Sequence, residues 1–207
     1  MERKISMRIF SIVLNSISTI NKRKLDLGFV DNTISRLGAC IRAAFFLSNG
    51  IRKDTVLYII IQDKNYTIKL VGSELRYLGP DIRSTSILLM KVLGEVKELN
   101  NKKVLSKRGA YIFKDDADLV DRLRNIDAEQ VIFPNLKGRN IEEIVIKGSI
   151  NCIVPLEYPF PDFMRNKLVE QGYIEVLSSG NSPVDNFIIM VQNWLDNLWG
   201  NGNNGTD

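Results

Sequence analysis

Seven short runs rich in β-branched and aromatic residues, at 8–14, 55–62, 66–71, 111–113, 130–133, 151–154 and 173–177, constrain the fold of this chain more than any other feature. Between most of them lie segments of helical length, at 36–48, 83–98, 117–124, 161–171 and 183–198, the last with Phe187, Met190, Val191, Trp194 and Leu198 at helical spacing. Strands that alternate with helices imply an α/β fold with a mainly parallel sheet flanked by helices, since each parallel crossover needs a connection of about that length. The exception is the pair 55–62 and 66–71, whose link Asp63-Lys64-Asn65 is short enough for a hairpin, which makes one piece of the sheet antiparallel.

At 207 residues, 44% hydrophobic and 25% charged, the chain is ordinary soluble protein with enough apolar mass for a substantial core. We read residues 1–198 as a single α/β domain, with halves at about 1–100 and 101–198, and the Gly/Asn-rich 199–207 as a disordered tail. The N-terminal charge-then-apolar pattern runs into Asn15 and Lys22-Arg23-Lys24 with no small-residue cleavage pattern, so it reads as a first strand and not a signal peptide. No run approaches the roughly 18 apolar residues of a membrane span, and a cytoplasmic location is the default expectation.

The chain has no histidine, and Cys40 and Cys152 stand far apart in apolar runs. A zinc site or other metal centre is not expected, and Ser/His and Cys/His nucleophile pairs are excluded. Proton transfer has to use Asp, Glu, Lys, Tyr or water. Neither a GxGxxG fingerprint nor a GxxxxGK[ST] loop occurs, which removes the sequence support for a generic dinucleotide or nucleoside-triphosphate enzyme. The net charge is only +4, but basic residues bunch at 22–24, Arg36, Arg42, Arg52-Lys53, 102–103 and 107–108, which suits a polyanionic partner.

Residues 71–84, VGSELRYLGPDIRS, join a strand to a helix through a glycine, an acid, a proline turn and an arginine. Gly72 is expected to supply a positive φ at the strand exit. Glu74 has two readings, a turn-bonding side chain or one that points into a nucleotide site. Together with RLGACIRAAFFLSNGIRKD at 36–54, this segment resembles the archaeal tRNA (pseudouridine-54 N1)-methyltransferases of the SPOUT superfamily, most closely from about Arg36 to Leu93.

The resemblance implies a SPOUT-type sheet with a C-terminal trefoil knot, a homodimer, tRNA as partner and S-adenosylmethionine as cofactor, held by three loops. By position these loops contribute Pro134 and Gly138, then Pro155, then Leu177 and Ser178, with Phe187 where the family has a cysteine. Asn135 replaces the histidine of the first loop, and Pro155, Pro159 and Pro161 replace the three glycines of the second. Proline has no N–H to offer a ligand. Gly38 stands where the family usually has an aspartate after Arg-Leu, which leaves Glu74 and Asp81 as substitutes for a proton acceptor. The resemblance assigns catalysis to Arg36 and Glu74, and RNA contact to Arg36, Arg52, Lys53, Arg76 and Arg83. It also places Trp194 or Trp199 at a subunit interface. Two activities remain open: a methyltransferase, or a non-catalytic RNA-binding homologue that has lost the cofactor.

Overall fold

The computed structural model describes residues 6–76, 78–98, 105–179 and 183–200. Strand β1 (Arg8–Leu14) is followed by helices α1 (Lys22–Asp26) and α2 (Asn32–Phe45), and then by a small ribbon of β2 (Phe46–Leu47) and β3 (Gly50–Ile51). Next come the hairpin β4 (Thr55–Ile61) and β5 (Tyr66–Val71), helix α3 (Ile82–Gly94), and strands β6 (Leu105–Lys107) and β7 (Ala110–Lys114). The rest is α4 (Leu119–Arg124), β8 (Gln130–Asn135), β9 (Ile150–Pro155), α5 (Asp162–Glu170), β10 (Ile174–Leu177) and α6 (Val184–Gly200).

One eight-stranded sheet carries the fold, in the order β10-β8-β9-β1-β4-β5-β7-β6. The pairings from β10 through β4 are parallel, and those from β4 through β6 are antiparallel. The antiparallel piece is therefore a wing of three strands beyond β4, larger than the single expected hairpin. All seven residues of β1 are buried, as its central place between β9 and β4 demands of a strand covered on both faces. Within it the Ser11 hydroxyl donates to Asn151 Oδ1 at 2.8 Å, so a buried polar side chain is matched across the parallel pair.

Helices α2, α3 and α6 pack on one face, where Leu37, Ile41, Leu89, Ile188 and Val191 meet Phe10, Ile12, Leu57 and Ile59. On the other face α4 and α5 bring Leu119, Leu123 and Leu168 against Ile9, Val13, Phe133 and Ile153. Asp31, Asp81 and Asp118 cap α2, α3 and α4, each accepting from a first-turn amide and stabilising its helix by about 1 kcal/mol. Helix α6 continues through Trp199 to Gly200, past the end expected from the sequence, while 201–207 lie outside the described residues. Trp194 is buried in the chain's own core, and the ring of Trp199 lies 4.9 Å from the Arg8 guanidinium.

Candidate functional site

Strands β8, β9 and β10 run parallel, so the chain leaves all three at one edge of the sheet, where open α/β sheets bind ligands. After β8 the chain turns through Leu136, Lys137 and Gly138, and Arg139 comes back beside β10. Its N–H donates to Glu175 O at 2.9 Å and its carbonyl accepts from Leu177 N at 2.7 Å, while Ser178 N donates to Asn135 O at 3.0 Å. Both limbs of the first loop thus bond the last strand.

Gly138 makes that approach possible, since a Cβ there would lie 2.4 Å from the Val176 carbonyl carbon and 2.6 Å from Leu177 N. Glu175 fastens the loop from below, accepting from Asn135 Nδ2 and from Arg165 Nε and Nη2, the latter two at 2.5 and 3.0 Å. The Arg165 hydrogen bond, helped by Asn135, holds the Glu175 carboxyl below its ordinary pKa against the opposing effect of burial. Asn135 therefore ties the end of β8 to β10. Gly138→Ala is expected to push the first loop off β10 and to weaken S-adenosylmethionine binding at least about tenfold. Calorimetry on the folded variant checks this.

In the second loop Pro155 and Leu156 are buried, and Leu156 N donates to Val13 O at 2.8 Å. The Leu156 carbonyl accepts from Arg36 Nη2, which brings a helix of the N-terminal half onto this loop. The Tyr158 hydroxyl is buried without a well-formed hydrogen bond among the described residues. Burial raises the pKa of this phenol, and the neighbouring Ser178 of the third loop pulls it partly back. Leu136 in the first loop and Leu177 at the end of β10 remain 54% and 50% exposed.

Exposed leucines on the first and third loops, with the buried Tyr158 hydroxyl and Ser178 as polar groups, suit a ligand with an apolar heteroaromatic face and polar edges, so the residues present fit S-adenosylmethionine. Prolines 155, 159 and 161 withhold three N–H groups, and Leu156 N is already used, which leaves Glu157, Tyr158 and Phe160 as the amide donors of the second loop.

Pro134, Gly138, Pro155, Leu177, Ser178 and Arg36 therefore come together. Phe187 does not join them at the surface; it fills the core beside α2. Glu74 accepts from the Tyr111 hydroxyl, on the α4 face of the sheet, and Arg36 sits on α2 against the other face. Asp81 is committed to capping, with Oδ1 accepting from Ser84 N at 2.8 Å. Gly38 is buried where α2 meets α3, and a Cβ there would stand 2.8 Å from Thr85 Oγ1, so an acid at 38 has no room unless Thr85 moves.

Arg52 is turned inward, its side chain 11% exposed, with Nη1 and Nη2 donating to the Asp196 carboxylate at 2.8 and 2.6 Å. Lys53 Nζ lies 3.4 Å from Gly72 O. Arg76 and Arg83 do come together, lining a cleft of about 480 Å³ with Asp81, Lys91 and Arg108. Arg83 also pairs with Asp26 at 2.6 Å on the surface. Sequence reasoning missed Lys91, although its position on an exposed helical face opposite a basic turn is a readable signal. The basic pair 102–103 lies outside the described residues.

Among the described residues no group of three His, Cys, Asp or Glu side chains is placed to hold a metal ion, and no helix is long and apolar enough to cross a membrane. Both cysteines are free and buried, and burial is the main reason the Cys40 thiol is pushed up to about 12.

Among solved structures, the chain superposes on Archaeoglobus fulgidus Nep1 bound to S-adenosylhomocysteine with a TM-score of 0.57 and 15% identity, over 94% of this chain and 99% of that one. The likeness establishes a SPOUT-type α/β fold. Residues 7–196 match the family described as "Putative SAM-dependent RNA methyltransferase". The chain belongs to this family, and so to the SAM-dependent RNA methyltransferases. It is 30% identical to a tRNA (pseudouridine(54)-N(1))-methyltransferase of Methanococcus maripaludis, over 93% of this chain and all of that one. It is 40% identical to one from Haloarcula marismortui over 93 residues, 44% of this chain and 46% of that one.

Proposed function

We propose that the chain methylates N1 of pseudouridine in the TΨC loop of tRNA, acting as a cytoplasmic homodimer whose last strand is threaded through the first loop as a trefoil knot. The observation that carries the reading is the meeting of the loops after β8, β9 and β10, with Arg36 drawn onto Leu156 O. The names of the relatives support the substrate. The bonds from both limbs of the first loop to β10 support the knot.

When bound, S-adenosylmethionine supplies an electrophilic methyl group. The chain's own part is to hold and align. Leu136 and Leu177 offer apolar surface, the Tyr158 hydroxyl offers a donor, and Arg36 stiffens the second loop beneath them. The basic cleft of Arg76, Arg83, Lys91 and Arg108 positions RNA through its phosphates without reading sequence. With no histidine in the chain, the N1 proton leaves to water, and rate comes chiefly from alignment.

The test is methyl incorporation into tRNA transcripts that carry either pseudouridine or uridine in the TΨC loop, with sedimentation of the same preparation to measure its mass. Incorporation that requires pseudouridine is the expected result, in a particle of twice the chain mass. The three prolines of the second loop favour a second reading, an RNA-binding homologue without turnover. Tight tRNA binding with no uptake of S-adenosylmethionine at millimolar concentration would replace the first reading by the second.

A further inference from the structure

The antiparallel wing carries a second cleft, of about 480 Å³, between β4, β5, β7 and α4. Tyr58, Tyr111 and Phe113 give it aromatic walls, and Lys69 Nζ stands 5.5 Å above the Tyr58 ring. In its wall Arg122 is only 5% exposed. Nη2 donates to Tyr66 O and Thr67 Oγ1 at 2.7 and 2.8 Å, but Nε is buried with no partner among the described residues. A buried donor left unpaired is costly, and an acceptor on a ligand relieves that cost.

Charge decides what kind of ligand fits. Lys69 and Arg122 are offset by Glu74 and Asp115, so the lining holds as many acids as bases and does not attract phosphate. Aromatic faces with both donors and acceptors at hand suit a neutral nucleobase, and the volume suffices for one nucleoside. The basic cleft differs, with Arg76, Arg83, Lys91 and Arg108 against Asp81 in its lining and Asp26, which pairs with Arg83.

The two clefts open on opposite faces of the sheet, the aromatic one on the side of α4 and the basic one beside α3, and neighbouring residues of the same two turns line them. Glu74 lines one and Arg76 the other, from the same loop, while Tyr111 and Arg108 do the same from the turn into β7. Val71 N donates to Gly109 O at 2.9 Å and ties the loop to the turn.

We infer that the aromatic cleft receives one unstacked base of the RNA strand whose phosphates lie along the basic cleft. The inference rests on the RNA-binding part of the function proposed above and not on methyl transfer. It supplies a second grip on the RNA, away from the three loops, that holds by stacking instead of charge.

Ultraviolet crosslinking of the full chain to tRNA, read by mass spectrometry, is the test, together with tRNA affinity across a salt series. Crosslinks at Tyr58, Tyr111 or Phe113 are expected. Tyr111→Leu and Phe113→Leu are each expected to lower affinity about tenfold while leaving the salt slope unchanged. Arg76→Ala with Lys91→Ala is expected to lower both affinity and slope. Comparable urea midpoints show that each variant is folded. Full affinity in both leucine variants, or crosslinks that avoid the cleft, would overturn the inference. So would protection of these peptides by free nucleosides with tRNA affinity unchanged, which would make the occupant a small metabolite. Because the readout is binding, loss of methyl transfer alone leaves this result standing and strikes only the proposed activity.

Discussion

Asp196→Ala is expected to destabilise the folded chain by about 3 kcal/mol at neutral pH, the scale of breaking a buried ion pair from one side. Asp196 Oδ1 accepts from Arg8 Nη1 at 2.5 Å and from Arg52 Nη1 at 2.8 Å, and Oδ2 accepts from Arg52 Nη2 at 2.6 Å. Both guanidiniums are nearly buried, so neither can turn to water when its partner is removed. Arg8 keeps Asp54 at 2.9 Å and Gln192 Oε1 at 2.8 Å, which holds the loss near the lower end of the range. Arg52 keeps no other ion pair among the described residues.

The same network makes stability depend on pH. Burial pushes the Asp196 carboxyl up, but hydrogen bonds from Arg52 and Arg8, reinforced by their charges, outweigh it and hold the pKa below the ordinary aspartate value. A depressed folded-state pKa stabilises fully above the unfolded value near about 3.9, and the contribution is lost as pH falls through the folded value. Urea midpoints between about pH 7 and pH 3 should therefore separate wild type from variant at the upper end and draw them together at the lower. Equal midpoints at neutral pH would mean that Asp54 and Gln192 suffice. The network also recasts the basic pair 52–53. A double alanine variant loses a structural ion pair through Arg52 before any contact with RNA is tested.

What the sequence made legible follows from where the signal is local. β1 and β5 have the expected bounds because a buried strand writes its pattern in consecutive residues. Helix α2 begins at Asn32, ahead of the expected 36, although Asp31 and Thr33 form a readable cap. Helix α1 was invisible because Lys22–Asp26 buries only Leu25, and β6 because three residues carry no period. The lateral order of strands is set by pairings across more than a hundred residues, such as β1 with β9, which no local pattern encodes. The site divides in the same way. Spacing located the three loops, but the contact of Arg36 with Leu156, 120 residues apart, and that of Arg52 with Asp196, 144 apart, needed the fold. Basic bunching therefore could not distinguish Arg52, turned inward onto a distant carboxylate, from Arg76 and Lys91, which line an open cleft.

Gly72→Ala is expected to cost about 3 kcal/mol or more, for a reason other than the one its sequence context suggested. The expectation was a positive φ after β5, but among the described residues the glycines with positive φ are Gly28, Gly109, Gly148 and Gly172. The constraint at 72 is contact. A Cβ there would stand 2.0 Å from Arg52 O and 2.9 Å from Thr55 O, and both are backbone atoms that no rotamer change can move aside. Gly72 N also donates to Thr55 O at 2.9 Å, so separating the strands by the required distance breaks this bond and shifts the start of β4. Overpacking ordinarily costs 1–3 kcal/mol, and a rigid neighbour on two sides puts this site at or above the top of that range. The displaced segment carries Arg52, so the variant should also loosen the Asp196 network. A double cycle with Asp196→Ala is then expected to be less than additive. Urea unfolding of the four proteins measures it. Full additivity would show that the clash is absorbed at Gly72 without moving Arg52.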